Sequence, residues 1–311
     1  MLLEQLYQRQ MKSFELAKQN FSNLQQAIYR EIPFDNFINR LPYNPTRIHS
    51  TNAKIDQASI QKRPCFLCRE NMPKEQEGIA YANRYHIFVN PYPIFHHHFT
   101  VPTAVHTPQC IASHLEDFWQ LAFDFPDYTI FYNGPGCGAS APDHFHFQMV
   151  PRNQMPLEQD IHNPLLLKIL QQRNGYSLST LEHYLRDVII LQATEPNLIT
   201  SLFIAIQKQL TKLIPQSEEP MMNLLCWFEK GMWTLCIFPR KLGRPKQFFA
   251  EGDEKILFSP GCVDMAGLII APRKEDFERY SVPLLSDLFK QVTLSQEQQQ
   301  IMIQTLKEIT I

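Results

Sequence analysis

Apolar side chains recur at intervals of three and four positions in the first forty residues. They are Leu3, Tyr7, Met11, Phe14, Ala17, Phe21, Leu24 and Ile28. This period matches the α-helix, with about 3.6 residues per turn, and places the apolar residues on one face that covers a core. We therefore predict an N-terminal helical segment over residues 1–42.

The middle of the chain instead alternates apolar and polar residues, which is typical of strands. Strands are expected at residues 86–90, 95–101, 128–132 and 144–150, and a helix near residues 108–124. For residues 155–219 we predict a mainly helical connector, with a strand at 185–192 and a helix over 197–214. A chain of 311 residues corresponds to about two domains.

The C-terminal part of the chain resembles the middle. Residues 86–102 and 223–239 are equal in length, alternate like strands and end in proline. Asn-Gly-Pro-Gly-Cys at 133–137 is echoed by Phe-Ser-Pro-Gly-Cys at 258–262, and both continue to Pro-Arg. We interpret this as a duplicated unit whose second copy lacks the histidines of the first. The predicted boundaries are a first unit at 43–154, a connector at 155–219 and a degenerate second unit at 220–311.

The charge balance excludes several classes of partner. With 29 Lys and Arg against 31 Asp and Glu, the net charge of -2 gives no general attraction to nucleic acid or anionic membranes. No apolar run reaches the roughly 18 residues of a membrane span, and the N-terminus does not resemble a signal peptide. Seven cysteines favour free or metal-bound thiols in a reducing compartment. We therefore expect a cytoplasmic protein without nucleic-acid or membrane partners.

A glycine cluster followed by a histidine-rich strand is the strongest chemical signal. Three of the 10 glycines, among them Gly136 and Gly138, fall within five residues, and such a turn lets backbone N–H groups surround an anion. In the strand that follows, His144, His146 and Gln148 share one face. This arrangement indicates a phosphate site that faces a nucleophilic or acid–base imidazole.

Two further patterns are ambiguous on their own. Cys65-Phe-Leu-Cys68 suits zinc binding, redox chemistry or the packing of two reduced thiols in a core. In His96-His97-His98 the first and third imidazoles share a strand face, which fits a metal site, a pocket lining or a surface position.

The residues Asn133-Gly-x-Gly-x-Gly-Ala-Ser140-x-Pro, followed by His144-x-His146-x-Gln148, resemble the histidine triad superfamily. They are most similar to the branch that contains galactose-1-phosphate uridylyltransferase, diadenosine tetraphosphate phosphorylase and the GDP-hexose phosphorylases. In that branch a glutamine replaces the third histidine, and two units are fused in one chain. The resemblance implies an α+β fold of two such units, each an antiparallel sheet with packed helices.

The resemblance also implies roles for individual residues. His146 matches the nucleophile that attacks the α-phosphorus and forms a nucleotidyl-histidine intermediate, and Gln148 matches an amide that binds a phosphate oxygen. Ser140 matches a serine that contacts phosphate, and Asn133 matches a residue near the nucleotide. Together with the glycine turn, these residues form the expected substrate site.

The chain departs from the family pattern at Asp143, which stands between Pro142 and His144. The family has Ser-x-Pro-His-x-His without this residue. The extra residue must bulge or lengthen the turn, and it brings a carboxylate close to a phosphate site. Asp143 either turns outward or orients an imidazole.

A metal site is a further implication of the resemblance. In the uridylyltransferases an upstream histidine and the first histidine of His-x-His complete a Cys-x-x-Cys pair. The corresponding ligands of a structural zinc ion are Cys65, Cys68, His106 and His144. No organic cofactor is implied.

Cationic residues are needed to bind the phosphates of a substrate. Arg47 in Tyr-Asn-Pro-Thr-Arg resembles the N-terminal Asn-Pro segment of the family, where a nearby arginine contacts the nucleotide. Further candidates, each of a type that is common on solvated surfaces, are Arg63, Arg240, Lys241, Arg244 and Lys246.

The expected function is therefore nucleotidyl transfer or phosphorolysis through His146. The donor would be a nucleoside diphosphate-sugar or a dinucleoside polyphosphate, and the acceptor phosphate or a sugar 1-phosphate, in a ping-pong reaction. The alternatives are a triad-type nucleotide hydrolase, which Gln148 disfavours, and a non-catalytic nucleotide-binding scaffold stabilised by zinc. Members of the branch often dimerise, so the resemblance is also compatible with a homodimer.

Overall fold

The computed structural model describes residues 2–51, 57–215 and 219–310. The helices of these residues are α1 (Leu2–Ser13), α2 (Glu15–Gln25), α3 (Ile48–Thr51), α4 (Gln57–Lys62), α5 (Leu115–Asp124), α6 (Leu157–Asp160), α7 (Pro196–Leu213), α8 (Lys246–Phe249), α9 (Cys262–Met265), α10 (Lys274–Arg279), α11 (Val282–Val292) and α12 (Gln296–Glu308). The strands are β1 (Ile28–Pro33), β2 (Ile38–Tyr43), β3 (Gly78–Tyr81), β4 (Tyr85–Val89), β5 (Phe99–Pro102), β6 (Tyr128–Asn133), β7 (His146–Pro151), β8 (Leu167–Arg173), β9 (Tyr176–Leu181), β10 (Ile189–Ala193), β11 (Met222–Glu229) and β12 (Met232–Pro239).

Ten of these strands form one antiparallel sheet in the order β3-β4-β5-β7-β6-β11-β12-β10-β9-β8. The two halves have the same strand order. From the outer edge to the centre of the sheet, each half contains its first, second, third, fifth and fourth strands, numbered by their order in the chain. In each half a helix lies between the third and fourth strands in the chain, α5 in the first unit (β3–β7) and α7 in the second unit (β8–β12). The two units meet where β6 pairs with β11. The fold is α+β and consists of two fused units of one topology.

Helices cover the face of the sheet that carries Phe147. Helices α5 and α7 bury stripes at helical spacing, with Phe118 and Phe203 fully buried, and α1 and α12 extend the same core. The hairpin β1–β2 and helices α9 and α11 cover much of the opposite face. Because both faces are covered, the strands of the centre are rich in apolar residues on both sides.

The second unit fills the position where the first unit has polar side chains. One row across the sheet joins Gln148 to Phe131, Leu225 and Cys236. Cys236 and its neighbour on the same face, Phe238, are fully buried among apolar residues. The second unit is therefore degenerate, because apolar packing replaces the polar face of β7.

Two predictions about the organisation of the chain are wrong in part. Residues 1–42 contain α1 and α2 but also most of the hairpin β1–β2, and residues 155–219 contain three sheet strands, β8 to β10, beside α6 and α7. Strand β8 escaped the sequence analysis because its burial is irregular and a bulge interrupts it near Ile169.

The duplication is present, but the predicted alignment of its copies is wrong. Residues 223–239 form β11 and β12, whose equivalents by topology are β6 and β7 rather than β4 and β5. The two Pro-Gly-Cys segments are not equivalent either: the second follows β12 and lies against the first, with the Cys262 N–H donating to Asn133 Oδ1 over 2.7 Å. The two turns pack closely on each other at the junction of the units.

The longest helix of the described residues is α7, with 18 residues. None of the described helices combines the length and apolar character that crossing a membrane requires.

Candidate active site

A cavity of about 800 Å³ opens on the polar face of β7, beside the junction of the two units. The first unit and the loops around it contribute His146, Gln148, Asn133, Gly138, Ser140 and Arg47. The segment after β12 contributes Arg244, Ser259, Gly261, Cys262, Val263 and Asp264. The polar face of one unit and the loops of the other therefore enclose the same volume.

His146 is held with one ring nitrogen bonded to the backbone. Its Nδ1–H donates to the carbonyl oxygen of His144 over 2.9 Å, which leaves Nε2 as the unprotonated nitrogen. Burial lowers the pKa of the imidazole to about 4. The side-chain oxygen of Gln109 accepts from the His146 N–H over 2.8 Å, and the Gln109 amide donates to the His146 and Asn133 carbonyls. The cavity thus receives a neutral imidazole on a fixed backbone, as a nucleophile requires.

Gln148 is oriented by His98, a residue whose role the sequence left open. The Ile94 N–H donates to His98 Nδ1 over 3.2 Å, so His98 Nε2 carries the proton and donates to Gln148 Oε1 over 2.9 Å. Burial, and then the nearby positive charge of Arg47, lower the pKa of His98 to about 3, so the imidazole stays neutral. With its oxygen occupied, the Gln148 amide presents its NH₂ group as the donor for a phosphate oxygen.

The glycine turn is shaped by the second unit. Gly138 has a φ of +90°, and a Cβ there would lie 2.5 Å from the Cα of Gly261. Asn133 lies beside this contact, and its Oδ1 accepts from the Asn223 amide over 2.8 Å. The contact of the two turns therefore requires glycine, and Asn133 acts as a link between the units at the edge of the cavity.

The predicted substrate residues divide into two groups. Arg47, Asn133, Gly138 and Ser140 line the cavity together with His146 and Gln148. Gly136 and Lys241 do not line it. Gly136 packs on Gly243, where a Cβ would meet the Gly136 carbonyl, and the Lys241 N–H donates to the carbonyl of Val292.

Arg47 and Asp264 form the charged wall of the cavity. The Arg47 guanidinium donates to the Tyr92 carbonyl over 2.8 Å, and burial lowers its pKa to about 10 despite the nearby Asp264. Burial raises the pKa of Asp264 to about 6, although its oxygens accept from the N–H groups of Gly261 and Ile270. Asp264 gave no sequence signal, because only the folded chain brings it to the cavity.

Arg240 differs from the other cationic candidates because it is fully buried. Its guanidinium donates to Asn223 Oδ1 and to the carbonyls of Pro260, Leu242 and Gly243 over 2.7–3.1 Å. Arg240 thus ties the segments that enclose the cavity to one another. Its position in the chain, directly after β12, explains why it reaches all of them.

Cys65, Cys68, His106 and His144 converge beside the cavity, with their ligand atoms all within 4.8 Å of one another. The sulfur-to-Nδ1 distances are 3.4 Å for Cys65 to His144, 3.2 Å for Cys68 to His106 and 3.5 Å for Cys68 to His144. Tetrahedral zinc with Zn–S of about 2.3 Å and Zn–N of about 2.1 Å requires separations of this size.

The protonation of the cluster also fits a divalent cation. His144 Nε2–H donates to the Thr103 carbonyl over 2.9 Å, which leaves Nδ1 free as a ligand. Burial, and then the neighbouring Cys65, raise the pKa of the Cys68 thiol to about 11. A neighbouring cation would favour the thiolate of Cys68, and the four residues are a suitable zinc site.

Two family models match the chain. Residues 6–151 match a domain of unknown function, DUF4922, and residues 161–310 match the GDPGP1-like C-terminal domain. No curated protein matches the sequence.

Solved structures with the same fold include yeast Ap4A phosphorylase Apa2. Its complex with Ap4A aligns with a TM-score of 0.62 and 16% identity, over 93% of this chain and 97% of that chain. Its complex with AMP aligns with a TM-score of 0.60 and 14% identity, over 91% of this chain and 97% of that chain. An ADP-glucose phosphorylase from Arabidopsis thaliana aligns with a TM-score of 0.41 and 12% identity, over 92% of this chain and 99% of that chain.

The His-x-His-x-Gln strand resembles that of the histidine triad superfamily, and it lies in a fold that the chain shares with Ap4A phosphorylase Apa2. The C-terminal part of the chain, residues 161–310, matches the GDPGP1-like C-terminal domain, and the chain as a whole has the fold of Ap4A phosphorylase Apa2. The resemblance noted in the sequence is therefore confirmed, and the cavity lies on its motif residues.

Proposed function

We propose that the protein is a nucleotidyltransferase or phosphorylase that works through a covalent intermediate on His146. The observation that carries this proposal is the hydrogen bond from His146 Nδ1–H to the His144 carbonyl, because it directs the lone pair to Nε2. The donor is a nucleoside diphosphate-sugar or a dinucleoside polyphosphate. Apa2, which resembles the chain in fold, is named an Ap4A phosphorylase.

The reaction has two displacements at one phosphorus atom. In the first, His146 Nε2 attacks the α-phosphorus, an N–P bond forms, and the P–O bond to the distal half of the donor breaks with its electron pair on oxygen. In the second, an oxygen of phosphate or of a sugar 1-phosphate attacks the same phosphorus, and the N–P bond breaks with its pair returning to Nε2. The neutral imidazole needs no proton removal before the first attack.

The remaining cavity residues stabilise the phosphoryl oxygens. The Gln148 NH₂ group, fixed by His98, donates to a non-bridging oxygen, and Arg47 neutralises the charge that develops on the phosphates. Ser140 and the backbone beside Gly138 complete the set of donors. Because these groups are positioned before the substrate arrives, little reorganisation is needed during the reaction.

Cys65, Cys68, His106 and His144 are the residues that would hold zinc. When bound there, the ion supplies structural cross-linking and no reacting ligand position, since all four positions are taken by the protein. His144 is two residues before His146, so anchoring His144 fixes the start of β7 and the carbonyl that binds His146 Nδ1.

Intact-mass measurement without acceptor tests the proposal. The protein is incubated with UDP-, GDP- and ADP-sugars and with diadenosine tetraphosphate, then kept mildly alkaline to preserve the phosphoramidate. We expect a gain of one nucleoside monophosphate with one donor, also in the surface control His162→Ala, and none in His146→Ala. Nucleotide binding without any adduct would contradict the covalent mechanism and favour hydrolysis or a scaffold.

A further inference from the structure

Arg63 and Asp143 connect the cavity to Cys65, Cys68, His106 and His144, which we call the metal cluster. Arg63 lies two residues before Cys65 and lines the cavity that holds His146. Asp143, the residue that departs from the family pattern, directly precedes His144. Arg63 Nη2 donates to Asp143 Oδ1 over 2.7 Å, so the extra residue turns toward the cavity side of the cluster instead of outward.

The second oxygen of Asp143 faces the metal cluster. Asp143 Oδ2 lies 3.9 Å from Nε2 of His106, whose Nδ1 is directed at Cys68. The carboxylate therefore stands between a guanidinium on one side and an imidazole of the cluster on the other. Its side chain is only 17% exposed, so these two neighbours and not the solvent determine where it sits.

Arg63 keeps an unused donor at the cavity. Among the described residues no group accepts from its Nη1, although that atom is buried, and the Phe66 ring lies 5.1 Å from the guanidinium carbon. A buried N–H without an acceptor is unfavourable, and a guanidinium is the group best suited to bind phosphate with two parallel hydrogen bonds. With Nη2 fixed by Asp143, the orientation of the remaining donors is determined before a ligand binds.

We propose that Arg63 is a phosphate ligand of the cavity, and that Asp143 positions it so that metal binding at the cluster and phosphate binding in the cavity strengthen each other. This deepens the proposed function, on which it rests, by assigning Arg63 to the binding of a substrate phosphate in the cavity that His146 lines. The coupling path is short: metal fixes the 65–68 loop to His106 and His144, and the ion pair transmits this order to Arg63.

Thermodynamic linkage gives the test. If zinc raises the affinity for phosphate by a factor, phosphate must raise the affinity for zinc by the same factor. We would measure binding of radiolabelled inorganic phosphate by equilibrium dialysis to the full chain, zinc-loaded and zinc-stripped. Zinc affinity would be measured by competition with a chromophoric chelator, with and without phosphate. For the wild type we expect a factor of about ten in both measurements.

Two variants and one matched control separate the roles. Arg63→Gln should weaken phosphate binding about tenfold in the zinc-loaded protein and leave zinc affinity without phosphate unchanged. Asp143→Asn should bring the coupling factor to within about twofold of one, because the amide no longer holds the guanidinium by charge. Arg69→Gln, an exposed arginine on the other side of the same cysteine pair, should behave as the wild type.

Three results would overturn the inference: phosphate binding in Arg63→Gln equal to that in Arg69→Gln, an unchanged coupling factor in Asp143→Asn, or no phosphate binding to the zinc-loaded wild type. The adduct measurement on His146 is independent of all three. An adduct with no coupling would reject the role of Asp143 and keep the proposed function, and coupling without an adduct would do the reverse.

Discussion

The two halves of the sheet have the same strand order and a helix at the same place in the chain, but opposite contents on one face. Over β7 of the first unit, His146 and Gln148 border a cavity of about 800 Å³. Over β12 of the second unit, Cys236 and Phe238 are buried in a continuous apolar core. One topology therefore carries a polar site in one copy and a packed core in the other.

The difference shows what each half contributes to the site. The N-terminal half of the chain supplies the imidazole, the amide and the cluster of Cys65, Cys68, His106 and His144, and the second unit supplies walls of the cavity. Arg240, fully buried directly after β12, binds the turns on which Asn133 and Gly138 rest. A copy that lost its own chemistry thus still shapes the site of the other, since its packed core holds the enclosing loops in place.

The largest effect is expected at the nucleophile. His146→Ala removes the only group with a free nitrogen lone pair on the polar face of β7 and should lower nucleotidyl transfer by at least about 10⁴-fold. The rate is measured by release of the distal product from the donor that forms the adduct. Folding should persist, because a shorter side chain only enlarges an existing cavity. If the variant kept activity within tenfold of the wild type, His146 would not be the nucleophile, and the polar face of β7 would not explain why the first unit carries the activity.

Removal of the metal ligands should have the next largest effect. His106→Ala, or treatment of the wild type with a strong chelator, should lower the transfer rate about 100-fold and the thermal midpoint by roughly 10 °C. The physical reason is that the start of β7 is joined to the rest of the first unit through His144 and the cluster, in addition to the apolar packing that both units share. His96→Ala, another exposed histidine, serves as the control. Equal thermal midpoints with and without metal would show that zinc does not stabilise the first unit.

Much of the site could be predicted from the sequence because its residues lie close together in the chain. The alternation in His144-Phe-His146-Phe-Gln148 placed the imidazole and the amide on one face, and the structure has them at one cavity. The helix after Pro196 was predicted within one residue at each end, since it has a long amphipathic stripe and a proline at its start.

Long-range contacts account for what the sequence did not reveal. The sequence singled out His98 without fixing its role, and Asp264 gave no signal, because their roles depend on Gln148 and Arg47, which are 50 and 217 residues away. Strands β8 and β9 were missed for a related reason. Strand β8, at the outer edge of the sheet, is packed unevenly, so its periodicity is weak, and β9 is buried on both faces, so its burial does not alternate. Packing, rather than local preference, determines these elements.

A smaller effect is expected for the residue that orients Gln148. His98→Ala deprives Gln148 Oε1 of its donor, and the amide is then free to rotate, so the transfer rate should fall about tenfold. The Ile94 N–H also loses its buried acceptor, so the free energy of unfolding should fall by about 1–3 kcal/mol. His98→Gln retains an amide donor and should recover part of the rate. The neighbouring His97, at a φ of +57°, offers His97→Asn as a control that tolerates this backbone. Equal rates in His98→Ala and His97→Asn would reject the positioning role.

The smallest effect on activity is expected at Cys236, which lies in the second unit at the position that Gln148 has in the first. Cys236→Ala deletes one buried sulfur and should lower the free energy of unfolding by about 1 kcal/mol, measured by urea denaturation, with transfer rates within about twofold of the wild type. Cys236→His should unfold far more easily, because an imidazole there has neither a cavity nor a polar partner in the surrounding apolar core. If Cys236→His folded as stably as Cys236→Ala, the second unit would have room for a site, and its degeneracy would lie in residue identity alone rather than in the filled core.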